Sequence, residues 1–377
     1  MATQRILDFL ATRRPEGPCL VVDLDVVREN YVAFERALPD SKIFYAVKAN
    51  PAPEILRLLT ALGSSFDTAS VTEIEMALDA GATPDRISFG NTIKKERDIA
   101  RAYELGIRLY AVDCVEEVEK IARAAPGSRV FCRVLTDGAG AEWPLSRKFG
   151  CVPAMAVDVL RRAKALGLDP HGVSFHVGSQ QTDLSAWDRA LNDARTVFEA
   201  LAEEGIVLKM VNMGGGFPTR YLRDVPQAQA YGQAIFSSLR KHFGNRIPET
   251  IIEPGRGMVG NAGVIKSEVV LISRKADSDD VRWVYLDIGK FGGLAETMDE
   301  AIRYPLVTPR DGDETAPCVL AGPTCDSADV LYEKTPYPLP VSLTIGDEVL
   351  IEGTGAYTTT YASVAFNGFE PLRSYVI

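Results

Sequence analysis

The stretch Ile43-Phe44-Tyr45-Ala46-Val47, closed by Lys48 and broken at once by Ala49-Asn50-Pro51, decides how the chain is read. An uninterrupted apolar run stopped by turn-forming residues fits a short buried strand. The segment after it, Pro53 to Gly63, has Ile55, Leu58, Leu59 and Leu62 at helical spacing and a glycine at its end, so it predicts a helix. Strand followed by helix then recurs along the chain. The candidate strands are Ile43 to Val47, Ser65 to Thr68, Ile87 to Gly90, Arg108 to Val112, Val130 to Val134, Val173 to Val177, Leu208 to Met213 and Ile251 to Glu253. Gly81, Gly106, Gly167, Gly205 and Gly244 stop the helices between them. This alternation predicts βα units around a parallel sheet, closed as a (β/α)8 barrel of the TIM type or left open and doubly wound. Periodicity alone does not separate the two.

The polar residues favour closure. In such barrels the reactive groups stand at the C-terminal ends of several strands. Lys48 follows the first candidate strand, Asp67 ends the second, Arg133 the fifth and His176 the sixth; Gly214, Gly215 and Gly216 follow the seventh, and Glu253 to Arg256 end the eighth. From about Asn261 the rhythm changes to β-rich segments, Val264 to Ile272, Val281 to Asp287, Cys318 to Ala321 and Asp347 to Glu352, separated by Gly, Pro and Asp clusters. The expected division is therefore an α/β barrel over residues 24–260 and an all-β domain over 1–23 plus 261–377, with the strand-like run Cys19 to Asp23 joining the latter.

Composition narrows the function. The 377 residues are 46% hydrophobic and 24% charged, with a formal net charge of -10. That balance disfavours nucleic acid and anionic membranes and suits a small cationic substrate. The start lacks a secretion signal and no apolar stretch approaches the roughly 20 residues of a membrane span, so a cytoplasmic protein is expected. The six cysteines show no CxxC spacing and there are three histidines, which supports neither a metal site nor a disulfide framework.

Each motif admits two readings. Lys48 is either a strand-capping surface lysine or an amine, partly desolvated by the run behind it, that attacks a carbonyl to form a Schiff base. Gly214 to Gly216 form a tight turn or a bare backbone for phosphate; without GxGxxG they are no dinucleotide fingerprint. Glu253 and Arg256 make a structural ion pair, or else serve a protonated ring nitrogen and a phosphate. His176 is a core residue or a ring that stacks on a flat cofactor, with Ser179 near a phosphate. Asp67 is a site residue or a helix cap. Cys325, beside Asp326, is poised for proton transfer.

Taken together, YAVKAN, SFDTAS, SFHVGSQ, GGGFP, EPGR, GPTCDSAD, GAYT and FNGF resemble the fold type III pyridoxal phosphate decarboxylases, in particular the ornithine and lysine decarboxylases. The resemblance runs from about Pro18 to the C-terminus. It implies that Lys48 holds pyridoxal 5'-phosphate as a Schiff base, that Glu253 keeps the pyridine nitrogen protonated and that His176 stacks on the ring. It further implies that Ser179, Gly215, Gly216, Gly255, Arg256 and Tyr357 hold the phosphate region, and that Asp67 and Arg133 flank the ring and its lysine. Cys325 would be the proton donor and Asp326 a substrate ligand, both serving the partner across a homodimer interface. Loss of carbon dioxide from L-ornithine or L-lysine would give putrescine or cadaverine. The acidic segment Glu296, Thr297, Met298, Asp299, Glu300 lies slightly out of register with the family's distal-amine acid, so Glu296, Asp299 and Glu300 all remain candidates. The chain ends soon after FNGF, so regulation through a degradation-directing tail is not expected. Diaminopimelate decarboxylase is the enzymatic rival, alanine racemase a more distant one, and a non-catalytic decoy on the same fold the alternative of a different class.

Overall fold

Short apolar strands are held parallel here because each is followed by a helix that buries its outer face. The computed structural model describes residues 2–143 and 148–377. Its barrel strands are Ser41–Ala46, Ser65–Thr68, Ile87–Phe89, Leu109–Val112, Arg129–Arg133, Asp169–Ser174, Met210–Asn212 and Glu249–Ile252. Each pairs in parallel with the next, and the last returns to the first through Thr250 opposite Ser41 and Ile252 opposite Ile43, so the barrel is closed. The predicted (β/α)8 class is the observed one. Phe44, Leu109, Ala111, Phe131, Met210 and Ile251 form one buried cluster drawn from five of the strands, packed as branched and aromatic layers pack inside such barrels. The helix Pro53–Leu62 ends at Gly63, whose φ of 98° lets its N–H close the last turn onto Leu59 and Thr60.

The chain forms two compact units. One comprises Arg28–Pro218 and Val225–Met258 and contains the barrel; the other comprises Met1–Val27, Thr219–Asp224 and Val259–Ile377. The second unit is built on an eight-stranded mixed sheet. Its spine is Gly263–Ser273, which pairs antiparallel with Arg282–Leu286, Glu348–Glu352 and Cys19–Val22. Cys19–Val22 pairs in parallel with Arg373–Val376 on its other side. An N-terminal helix, Gln4–Arg13, that sequence did not reveal packs Ile6 against Cys19, Val21 and Val264. Among the described residues no helix is long and apolar enough to cross a membrane.

Candidate active site

The polar groups of the barrel unit gather where strands end and backbone ladders stop. Lys48 lies in the helical turn Val47–Ala49 that follows the strand Ser41–Ala46, which therefore ends one residue before its apolar run does. Val47 and Ala49 are buried, but Lys48 itself is exposed, so the desolvated lysine expected from sequence is instead an accessible one on a buried turn. Its positive charge is felt by Asp67, His176 and Glu253 alike. The Ala46 N–H donates to the Pro254 carbonyl at 3.3 Å, which ties the lysine turn to the Glu253–Arg256 turn.

Asp67 is buried within Ser65–Thr68. It does not cap the next helix: Ser70 does, accepting the Glu73 N–H at 3.2 Å. Burial raises the Asp67 pKa, against the pull of Lys48, a Ser88 hydroxyl at 3.4 Å and Arg133. Residue 90 is glycine for a steric reason, since a Cβ there would lie 1.8 Å from Asp67 Oδ1.

Glu253 follows the last barrel strand. Burial, with the Asp67 charge adding, pushes its carboxyl up to about 8, opposed by Asn212, Lys48 and Arg133. Asn212, fully buried, donates through Nδ2 to Glu253 Oε1 and accepts the Gly214 N–H on Oδ1 at 2.9 Å. Sequence reading missed this residue. Its one signal was an amide in the otherwise apolar strand Met210–Asn212.

His176 stands two residues past the strand Asp169–Ser174. Its Nδ1 accepts the Gly178 N–H at 3.0 Å, so a neutral ring carries its proton on Nε2. Burial, Arg133 and Lys48 all push its pKa well below the usual histidine range, which keeps it neutral. Arg133 ends the strand Arg129–Arg133, its guanidinium 5.1 Å from the centre of the Phe149 ring.

Arg256, 4% exposed, donates to Ser179 Oγ through Nη2 at 3.1 Å and Nε at 3.3 Å. Beside them the glycine run is required by close approach. A Cβ on Gly215 would sit 2.6 Å from the Glu253 carbonyl and 3.3 Å from His176 Nε2, and one on Gly216, where φ is 102°, would sit 2.5 Å from the Gly178 carbonyl. Gly255 is buried next to Arg256. These residues form a cradle of backbone, hydroxyl and guanidinium at one end of the group.

The other candidates belong to the β unit. Cys325 and Asp326 are exposed, and the Cys325 N–H donates to Asn367 Oδ1 at 2.8 Å. Tyr357 adopts a left-handed backbone with φ of 56°. Of the three acids left open by sequence, Glu296 is buried. Asp299 is exposed and pairs with Lys334 at 3.2 Å. Glu300 accepts the backbone N–H groups of Glu333, Lys334 and Thr335 and pairs with Arg303 at 2.8 Å.

Residues 24–260 match the family described as pyridoxal-dependent decarboxylase, pyridoxal binding domain, and the chain belongs to that family. The lysine/ornithine decarboxylase of Selenomonas ruminantium is 37% identical over 372 residues, spanning 97% of this chain and 91% of that one. The antizyme inhibitor 2 of Xenopus laevis is 34% identical, spanning 97% of this chain and 82% of its own. Among solved structures, a lysine/ornithine decarboxylase from Vibrio vulnificus complexed with cadaverine superposes with a TM-score of 0.89 at 32% identity, covering 100% of both chains.

The barrel residues fit pyridoxal phosphate on their own geometry. Its aldehyde calls for an accessible amine, its protonated ring nitrogen for a carboxylate, and its phosphate for a donor-lined cradle. Lys48, Glu253 and the Ser179–Arg256–Gly216 group offer these in turn, the glycines there lying so close to neighbouring backbone that a Cβ would collide with it.

Proposed function

We propose that the protein decarboxylates a basic L-amino acid, L-ornithine or L-lysine, to its diamine and carbon dioxide. The observation that carries this reading is Glu253, a carboxyl held by Asn212 just past the last barrel strand and lifted to about 8, which a cation set against it would stabilise in its charged form. When bound, pyridoxal phosphate supplies an electron sink for the pair left on Cα as the carboxylate departs. The chain supplies everything else. Lys48 is assigned to hold the aldehyde, Glu253 the ring nitrogen and His176 one face of the ring. Ser179, Gly215, Gly216, Gly255 and Arg256, with Tyr357, hold the phosphate; Asp67 and Arg133 flank the ring and the lysine. The Cys325 thiol returns a proton to the carbon that has lost carbon dioxide.

Asp326 and Glu296 are assigned to the distal ammonium. Glu296 is preferred to its neighbours because it is buried, whereas Asp299 is exposed and Glu300 partly so. The net charge of -10 and the diamine-named relatives support a cationic substrate. We further assign a homodimer in which Cys325 and Asp326 of one subunit serve Lys48 of the other, a reading supported by the exposure of both residues on the β unit.

The relative named antizyme inhibitor 2 gives weight to a decoy without catalysis as the alternative. The presence of Lys48, Glu253, Arg256 and Cys325 argues against it. Incubation with cofactor and, separately, L-ornithine, L-lysine, L-arginine or meso-diaminopimelate decides the matter. Gas and diamine from ornithine or lysine are expected. Turnover of diaminopimelate alone would favour the rival enzyme, and no turnover of any substrate would favour the decoy.

A further inference from the structure

Asp329 is a carboxylate only 2% exposed inside the β unit, with no ion pair to it among the described residues. What it contacts are donors. Oδ1 accepts the Lys290 N–H at 2.7 Å, and Oδ2 accepts both the Thr324 N–H at 3.2 Å and the Thr324 hydroxyl at 2.7 Å. Its own backbone closes the loop, with the Gly322 N–H donating to its carbonyl at 2.8 Å and its N–H donating to the Asp326 carbonyl at 3.0 Å. The slot is cut to fit, since a Cβ on Gly289 or on Gly322 would come within 2.2 and 2.3 Å of its carboxylate oxygens.

Cys325 lies between these anchors, and its N–H has a second one. Asn367, in the FNGF segment, accepts it at 2.8 Å. Asn367 has φ of 51°, a conformation that asparagine and glycine tolerate and most residues resist. The segment carrying it is itself fastened to residues 289–291: Ser363 N–H donates to the Phe291 carbonyl at 2.9 Å, and the Phe291 and Phe366 rings lie 5.1 Å apart. Three stretches of the β unit thus fasten the loop that carries the exposed Cys325.

We propose that Asp329 and Asn367 are positioning residues for the Cys325 thiol, setting the loop so that its proton goes to the substrate carbon. This rests on Cys325 being the proton donor. Both Asp329 oxygens accept, so an amide cannot replace the acid; it would turn one N–H2 against existing donors. A misplaced thiol would leave Cα without its proton donor; bound pyridoxal phosphate would then offer its aldehyde carbon as the alternative place for the electron pair and proton, and water would release the substrate as an aldehyde with the cofactor as pyridoxamine phosphate, the two electrons lost by the one carbon being gained by the other.

The test uses the holoenzyme and two readouts, aldehyde-to-diamine ratio and amide hydrogen exchange across residues 322–329. Asp329→Asn and Asn367→Gly should each raise exchange about tenfold and shift product toward aldehyde, while Asn367→Asp, which keeps the acceptor oxygen, should behave as the parent. Asn367→Gly keeps the backbone conformation and removes only the acceptor, so it tests the idea even if the Asp329 variants do not fold. A parental product ratio in Asn367→Gly, or in a folded Asp329→Asn, overturns the proposal. Cys325→Ala is the separate control: a parental ratio there defeats the proton-donor reading itself, and with it the positioning role, whereas an aldehyde shift in Cys325→Ala alone defeats only the positioning role.

Discussion

At position 253 the folded chain holds a proton that solvent would take. Because the native carboxyl titrates at about 8 and the unfolded one near its ordinary 4.5, the native state binds the extra proton between those values. Stability of the cofactor-free protein must therefore fall as pH rises across that window and stop falling above it. Glu253→Gln removes the ionisable group while keeping an acceptor for Asn212. The expected result is a melting temperature that gains on the parent from about pH 5 to about pH 8 and no further; parallel curves would refute the assignment. Single residues were legible in sequence where chemistry made them odd. Lys48 and Glu253 stand out as charges at the ends of apolar runs. Asn212 did not, because what makes it matter is a side chain on the neighbouring strand.

Elements were legible where burial is periodic and obscure where it is not. Candidate strands ran past their observed ends at Val47, Gly90, Val134 and Val177, since apolar residues continue into the turns that line the barrel mouth after ladder pairing has ceased. The strand Val330–Pro340 was missed because Pro336, Pro338 and Pro340 argue against a strand; it proves to be a terminal strand of the sheet, where a missing N–H is tolerated. The N-terminal helix was missed because only Ile6 is buried. Packing between elements also hides charge. Lys94, followed by Lys95 and Glu96, reads as solvated, yet its side chain is fully buried, donating to the Asn91 and Ala111 carbonyls at 2.7 Å and pairing with Glu117 at 3.1 Å. That pair fastens the loop after the third barrel strand to the helix Val115–Ala124. Glu117→Leu leaves an ammonium buried without its counter-charge and should cost about 3–5 kcal/mol in urea unfolding. Lys94→Met with Glu117→Leu should recover much of it; a double variant no better than the single would show that the pair is not what the site needs.

For the whole molecule, the closed barrel was foreseeable from the count and spacing of strand-and-helix units, and its closure from charges placed at strand ends. The surroundings that separate Glu296, Asp299 and Glu300 were not, because burial and ion pairing are set by the packed structure and not by their adjacent places in sequence. Whether sites are shared between subunits is decided by the assembly, as proposed above for Cys325. Equal mixing and reassembly of Lys48→Ala and Cys325→Ala chains makes about half the dimers hybrids, each with one intact site if Cys325 acts across the interface, so about a quarter of parental activity should return. If the thiol serves its own chain, nothing returns. Every outcome that reads turnover presupposes the amine at position 48. Borohydride reduction of the protein loaded with pyridoxal phosphate, followed by peptide mass mapping, examines it directly. The phosphopyridoxyl mass should appear on the peptide carrying Lys48 and on no other; an unmodified Lys48, or a label on a different lysine, would contradict the account.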